Sequence, residues 1–121
     1  MAMRNLILLG FILTCLNIFA QKSTVLIDKT TLSEMMHNQD LQLVDVRTEK
    51  EFVNGSLEGA INIDFWNPDF LNLIKSTFTK KKALVVFCAG GGRSAMACDK
   101  LSRQGFKVLF DLEGGYESYI E

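Results

Sequence analysis

From residue 24 onward the chain alternates two hydrophobic patterns. Five short runs rich in Val, Ile, Leu and Phe, "TVLID", "LQLVDV", "INI", "ALVVFC" and "KVLFDL", have the length and β-branched character of strands. Helical patterns lie between and after them, over Thr31 to His37, Thr48 to Val53, Asp69 to Phe78, Arg93 to Gln104 and Gly115 to Ile120. Thr48 stands three residues before Glu51, the spacing of a capping box, and Asp69 precedes the helical spacing of Phe70, Leu73 and Ile74. Strands that alternate with helices predict a three-layer α/β/α domain around a mostly parallel sheet. Ligands of such sheets bind beyond the carboxyl ends of the strands, and Cys88 closes one of them.

The first twenty residues follow another plan. A short basic start, "MAMRN", leads into the apolar run Leu6 to Leu16, and Ala20 offers a small residue before a cut. This is the layout of a secretory signal, with residues 1–20 as signal peptide and 21–121 as the mature domain. The apolar run falls short of the roughly 20 residues a permanent membrane helix needs, so no stable span is expected after cleavage. Export follows, to the periplasm if the source is bacterial. A lipid anchor through Cys15 in "ILTC" is the alternative, although Thr14 is bulkier than the small residue such a box requires.

Composition adds exclusions. With 121 residues, 48% of them hydrophobic, 22% charged and a single proline, the chain holds one core and no linker or repeat divides it. The net charge of -1 is close to neutral, and the basic run Lys80 to Lys82 has no aromatic residue within it, so it reads as a solvated turn and no nucleic-acid partner is expected. His37 has no second donor beside it and reads as a surface residue rather than a metal ligand. With Cys15 inside the signal, Cys88 and Cys98 remain. A disulfide between them is disfavoured, because Cys88 ends a strand while Cys98 lies more than a turn into the next helix. Cys98 shares a stripe with Ser94, Ala97 and Leu101, the spacing of a buried helix face.

Chemistry concentrates in "VVFCAGGGRSA", residues 85 to 95. A chain leaving the strand must turn, and Gly90, Gly91 and Gly92 permit backbone conformations closed to other residues. Successive N–H groups can then converge on one centre, with the start of the next helix and the Arg93 guanidinium adding positive charge. A sulfur at that focus is favoured as thiolate, the attacking form. The same residues would also suit a tight turn after a small buried cysteine. A phosphate loop would need the G-x-x-x-x-G-K-S/T pattern, which is absent here.

These residues resemble the rhodanese-like domains. That family carries a Cys-x-x-Gly-x-Arg loop, matched by Cys88, Ala89, Gly90, Gly91, Gly92 and Arg93. "LVDVRTEKEFVNGSLEGAINI" (43 to 63) is similar to its Asp-Val-Arg, Glu-Phe/Tyr, Gly-His-Ile and Gly-Ala-x-Asn-Ile signature, and "FDLEGGYESY" to its Leu-x-Gly-Gly ending. The likeness runs from about Val25 to Ile120 with the motifs in order.

The resemblance implies sulfur transfer. A donor such as thiosulfate, a persulfide or a polysulfide would place a sulfane sulfur on Cys88, the nucleophile and persulfide carrier, and a thiophile such as cyanide, a small thiol or a thiol-bearing protein would remove it. The amides of Ala89 to Arg93 would bind the persulfide anion, and the Arg93 side chain would orient the loop or the donor. No metal or organic cofactor is implied. Asp45, Arg47 and Glu51 are expected to form a charge-assisted pair fixing one connection, and Gly55, Gly59, Gly114 and Gly115 to serve turns and helix starts.

Three positions depart from the pattern: Ala89 where active members often carry a charged or polar residue, Ser56 for histidine, and Tyr119 for tryptophan. A neutral Ala89 weakens capture of a small dianion, so a persulfide or polysulfide fits as well as thiosulfate. A phosphatase or arsenate reductase on the same fold would have five residues between cysteine and arginine, where four stand here. A non-catalytic rhodanese-like binding module is the alternative; such modules commonly lack the cysteine, so the presence of Cys88 makes it the less economical reading.

Overall fold

The computed structural model describes residues 24–121; the expected signal at residues 1–20 and Cys15 lie outside the described residues. The strands are β1 (Thr24–Ile27), β2 (Gln42–Asp45), β3 (Ile61–Asn62), β4 (Leu84–Phe87) and β5 (Leu109–Leu112), and the helices α1 (Lys29–Met35), α2 (Glu49–Val53), α3 (Phe70–Thr77), α4 (Gly92–Arg103) and α5 (Gly115–Tyr119). Every paired neighbour is parallel, in the order β1-β5-β4-β2-β3. β4 runs through the middle, with Val86 level with Val44 of β2 on one side and Asp111 of β5 on the other.

The expected elements are present with shifted ends. Asp28, expected to end the first strand, instead caps α1: its carboxylate accepts from the Thr31 N–H at 2.8 Å, and the helix starts at Lys29 rather than Thr31. The Thr48–Glu51 capping box forms in full. Asp69 also sits at a helix start, but its carboxylate accepts from the Asn72 side chain at 2.9 Å and does not cap the backbone.

Alternate residues of β4 serve two cores. Leu84, Val86 and Cys88 face α3 and α4, packing with Ile74, Ala97, Cys98 and Leu101, whereas Val85 and Phe87 face α1 and α5 with Leu32, Leu57 and Tyr116. Burial on both faces explains why β4 reads as an unbroken apolar run.

The topology also creates the site. From β2 the chain moves outward through α2 to β3, and from β4 it moves the opposite way through α4 to β5. Right-handed crossovers then send the two helices to opposite faces, so the connections after β2 and β4 diverge and leave a crevice between them. Among the described residues no helix is long and apolar enough to cross a membrane.

Candidate active site

Cys88 follows directly on β4 at that crevice and is 1% exposed. The Gly91 N–H donates to Sγ at 3.0 Å, and the Cys88 thiol donates to Ser94 Oγ at 3.5 Å. Gly91 has φ +112°, a left-handed conformation that side chains disfavour, and it stands at the start of α4. One residue therefore turns the chain, starts the helix and aims an amide at the sulfur.

The back of the loop is held from α5. The Tyr116 N–H donates to the Cys88 carbonyl at 2.8 Å and the Glu117 N–H to the Ala89 carbonyl at 3.0 Å. With these carbonyls drawn toward α5, loop amides are free to face the sulfur. Gly115 makes the approach feasible: its φ is +65°, and a Cβ there would fall 2.5 Å from the Cys88 carbonyl oxygen and 2.6 Å from the Ala89 carbonyl carbon. The expected turn role of Gly115 thus includes direct support of the Cys88 loop.

Two ion pairs flank the loop, and they correct the expected arrangement. Arg93 does not turn onto the sulfur; its Nη1 and Nη2 donate to Glu51 at 2.7 and 3.1 Å, tying α4 to α2 across the crevice. The Arg93 guanidinium, with the Thr48 cap assisting, holds the Glu51 carboxyl at about 2 against the opposing effect of burial. Glu51 in turn raises the Arg93 pKa, with smaller effects from Cys88 and Asp64, so the cation lies within electrostatic reach of the thiol.

Asp45 and Arg47 pair separately and out of water. Asp45 is 0% exposed, and its carboxylate accepts from Arg47 Nε at 2.9 and 3.1 Å, Arg47 Nη2 at 2.6 Å and Ser56 Oγ at 2.8 Å. Arg47 also donates to the Gly55 carbonyl at 2.7 Å and lies 4.5 Å from the centre of the Tyr116 ring. Burial pulls the Arg47 pKa down, but Asp45, with Glu51 and Tyr116 adding, offsets it and the net shift is upward. The pair braces β2 against α5, whose Tyr116 amide holds the Cys88 carbonyl.

Cys98 is free, like Cys88, and 2% exposed. Burial pushes its thiol up to about 12, with the proximity of Asp111 and Cys88 adding to the effect. It is the packing residue its helical stripe suggests. His37 lies exposed at the end of α1.

Comparison with known proteins agrees with this fold. A family model described as the rhodanese-like domain matches residues 28–121. The chain belongs to the rhodanese-like family. It is 38% identical over 87 residues to the chloroplastic thiosulfate sulfurtransferase 16 of Arabidopsis thaliana, covering 64% of this chain and 72% of that protein. Over 87 residues it is 34% identical to the mitochondrial protein HIGH ARSENIC CONTENT 1 of the same plant, again covering 64% of this chain. It spans 52% of that relative's length. A rhodanese-related protein from Thermoplasma volcanium has a crystal structure similar to this fold, with a TM-score of 0.67, 33% identity and coverage of 78% of this chain and 88% of that one.

Within this rhodanese-like domain, Cys88, Ala89, Gly90, Gly91, Gly92 and Arg93 form one continuous turn into α4. Gly91 supplies the amide that reaches the sulfur, and Arg93 is engaged by Glu51. Ser94, read from sequence only as part of a buried helix face, bonds to the thiol, and Asp111, to which the sequence reading gave no role, is buried in β5. The signal that could have found Asp111 is a lone carboxylate inside the apolar run "KVLFDL".

Proposed function

We propose that the domain is a sulfurtransferase that carries a sulfane sulfur on Cys88. The observation that supports this most is the placement of Cys88 Sγ, 3.0 Å from the Gly91 amide at the carboxyl end of the central strand, where a glycine-rich turn leads into α4. Cys88 thiolate attacks the outer sulfur of a donor R–S–S⁻. The donor S–S bond breaks, RS⁻ leaves, and Cys88 holds the persulfide. A thiophilic acceptor then attacks the outer sulfur and regenerates the thiolate, so no electrons are gained or lost over the cycle. The amides of Ala89 to Arg93 bind the persulfide anion, with Arg93, held by Glu51, orienting the loop.

Burial of Cys88 favours a carrier over direct attack on a bulky substrate. A persulfide places its outer sulfur about 2 Å beyond Sγ, so the acceptor meets an atom nearer the surface. Thiosulfate, a persulfide and a polysulfide all satisfy this reaction. With Ala89 uncharged and Arg93 committed to Glu51, the loop has little to attract a dianion, which favours the persulfide or polysulfide. Acceptors are a small thiophile or a protein thiol. The leader read at residues 1–20 puts this chemistry outside the cytoplasm, in the periplasm for a bacterial source, where the persulfide or a reductant must protect Cys88 from oxidation.

The test is a mass spectrum of the reduced, folded domain after thiosulfate and, separately, after a polysulfide, with Cys88→Ser beside it. Gain of one sulfur by wild type alone is expected, and more from polysulfide. No gain from either donor overturns the proposal.

A further inference from the structure

The Cys88 loop has almost no side chains of its own. Between Cys88 and Arg93 stand Ala89, Gly90, Gly91 and Gly92, which together add one methyl group and no charge. A Cβ on Gly92 would meet nothing within 4 Å, so this stretch is open to an incoming molecule. The charge that a sulfur donor or acceptor meets on approach is therefore set by neighbours of the loop.

Both arginines beside it are already neutralised. Arg93 is bidentate on Glu51, and Arg47 is held by Asp45. Glu117 of α5 is in the opposite position: it is exposed and enters none of the ion pairs among the described residues. Its backbone is fixed to the loop, because the Glu117 N–H donates to the Ala89 carbonyl at 3.0 Å. Its side chain follows the same loop, with Oε2 3.9 Å from the place a Cβ on Gly90 would occupy. The next amide, that of Gly91, is 3.0 Å from Cys88 Sγ. Covalent geometry between these atoms puts the carboxylate within about 11 Å of the sulfur, a range over which charges still act on one another at low ionic strength.

We propose that Glu117 sets the charge selectivity of the site, disfavouring anionic sulfur compounds and leaving neutral or amine-bearing persulfides and thiols as the substrates of Cys88. The inference rests on Cys88 as the reacting sulfur and narrows its donors and acceptors. A molecule with a second negative group must bring that group toward the Glu117 carboxylate, whereas an ammonium group a few bonds from the reacting sulfur is drawn to it. At this separation one unit charge changes an encounter rate by about 3-fold at low salt, and two charges by about 10-fold. With Arg93 and Arg47 both paired, neither supplies a free cation to cancel the effect.

The test needs no sulfur donor. Cys88 in the reduced chain is alkylated with neutral iodoacetamide and, separately, with anionic iodoacetate at about pH 8 in low salt, and the Cys88 peptide is quantified by mass spectrometry. One thiolate reacts with both reagents, so its fraction cancels in the ratio of the two rates, and a general loosening of the loop moves both rates together. Relative to the ratio for 2-mercaptoethanol, wild type should favour iodoacetamide by about 3-fold or more. Glu117→Gln should remove this preference, Glu117→Lys should reverse it, and about 0.5 M salt should shrink it in wild type. A wild-type ratio in either variant overturns the proposal. Should neither reagent reach Cys88, the same comparison is made on unloading of its persulfide by cysteamine and by 3-mercaptopropionate, and equal ratios in wild type and Glu117→Gln overturn it equally. A Glu117-dependent alkylation ratio in a chain that takes up no sulfur would instead count against sulfur transfer alone.

Discussion

Cys88 and Cys98 carry the same side chain, are both free and nearly inaccessible, and face the same apolar layer between the sheet and α3 and α4. Their surroundings differ in hydrogen bonding. Cys88 receives the Gly91 amide and bonds to Ser94, while among the described residues no hydrogen bond reaches the Cys98 sulfur. Cys98 sits on the regular part of α4, where backbone N–H groups are spent on the helix, and burial holds its thiol neutral up to about 12. Cys88 sits ahead of the helix, where the first amides have no intrahelical partner. Both thiols are buried; an unspent amide turned toward the sulfur is what separates the two sites.

Gly115→Ala should break this contrast most strongly. The added methyl meets the Cys88 and Ala89 carbonyls, so the loop must move off α5 and the Gly91 amide must lose its aim. We expect a loss of about 3 kcal/mol in denaturant unfolding and a fall in Cys88 alkylation, with Cys98 still unreactive. A variant as stable and reactive as wild type would show that α5 does not hold the loop.

Alkaline titration sharpens the contrast from the other side. The Cys98 thiol ionises near 9.0 when unfolded and near 12 when folded, so the unfolded state alone sheds this proton between those values. Its stabilising contribution is therefore complete below pH 9 and is lost as pH rises toward 12. Cys98→Ala should cost about 1 kcal/mol at neutral pH by lost packing. It should nevertheless lose about 2 kcal/mol less than wild type on going to about pH 11, measured by unfolding at each pH. Sulfur loading of Cys88 should be unchanged.

The smallest effect is expected for Glu51→Gln. Glu51 ionises near 4.5 unfolded and near 2 folded, so its contribution is present above pH 4.5 and is lost as pH falls through 2. Because the pair with Arg93 is partly open to water, screening should reduce this to about 1 kcal/mol. Wild type should therefore lose more stability than Glu51→Gln between those values, and equal losses would mean that the pair does not tie α4 to α2.

The two arginine pairs show where sequence reading reaches its limit. Asp45 and Arg47 stand two apart, and their pairing was legible because they are neighbours; that they lie under Tyr116 and away from solvent was not. Glu51 was grouped with them because it is close in sequence, yet its partner Arg93 is 42 residues away, across the crevice. Nothing local distinguishes one arginine from the other as its partner. Ser94 shows the same limit, unremarkable in α4 by itself and bonded to the Cys88 thiol only once α4 packs against the end of β4.

By itself the sequence determined the alternation of strands and helices, the burial of β4 on both faces, the cysteine at its end and the glycine turn behind it. These follow from hydrophobic period and backbone freedom, which act over a few residues. Tertiary structure alone decided the partners of the charges and the grip of α5 on the Cys88 loop. Those contacts depend on strand order and on which face each crossover takes, and both are settled only when the two apolar layers close on the sheet.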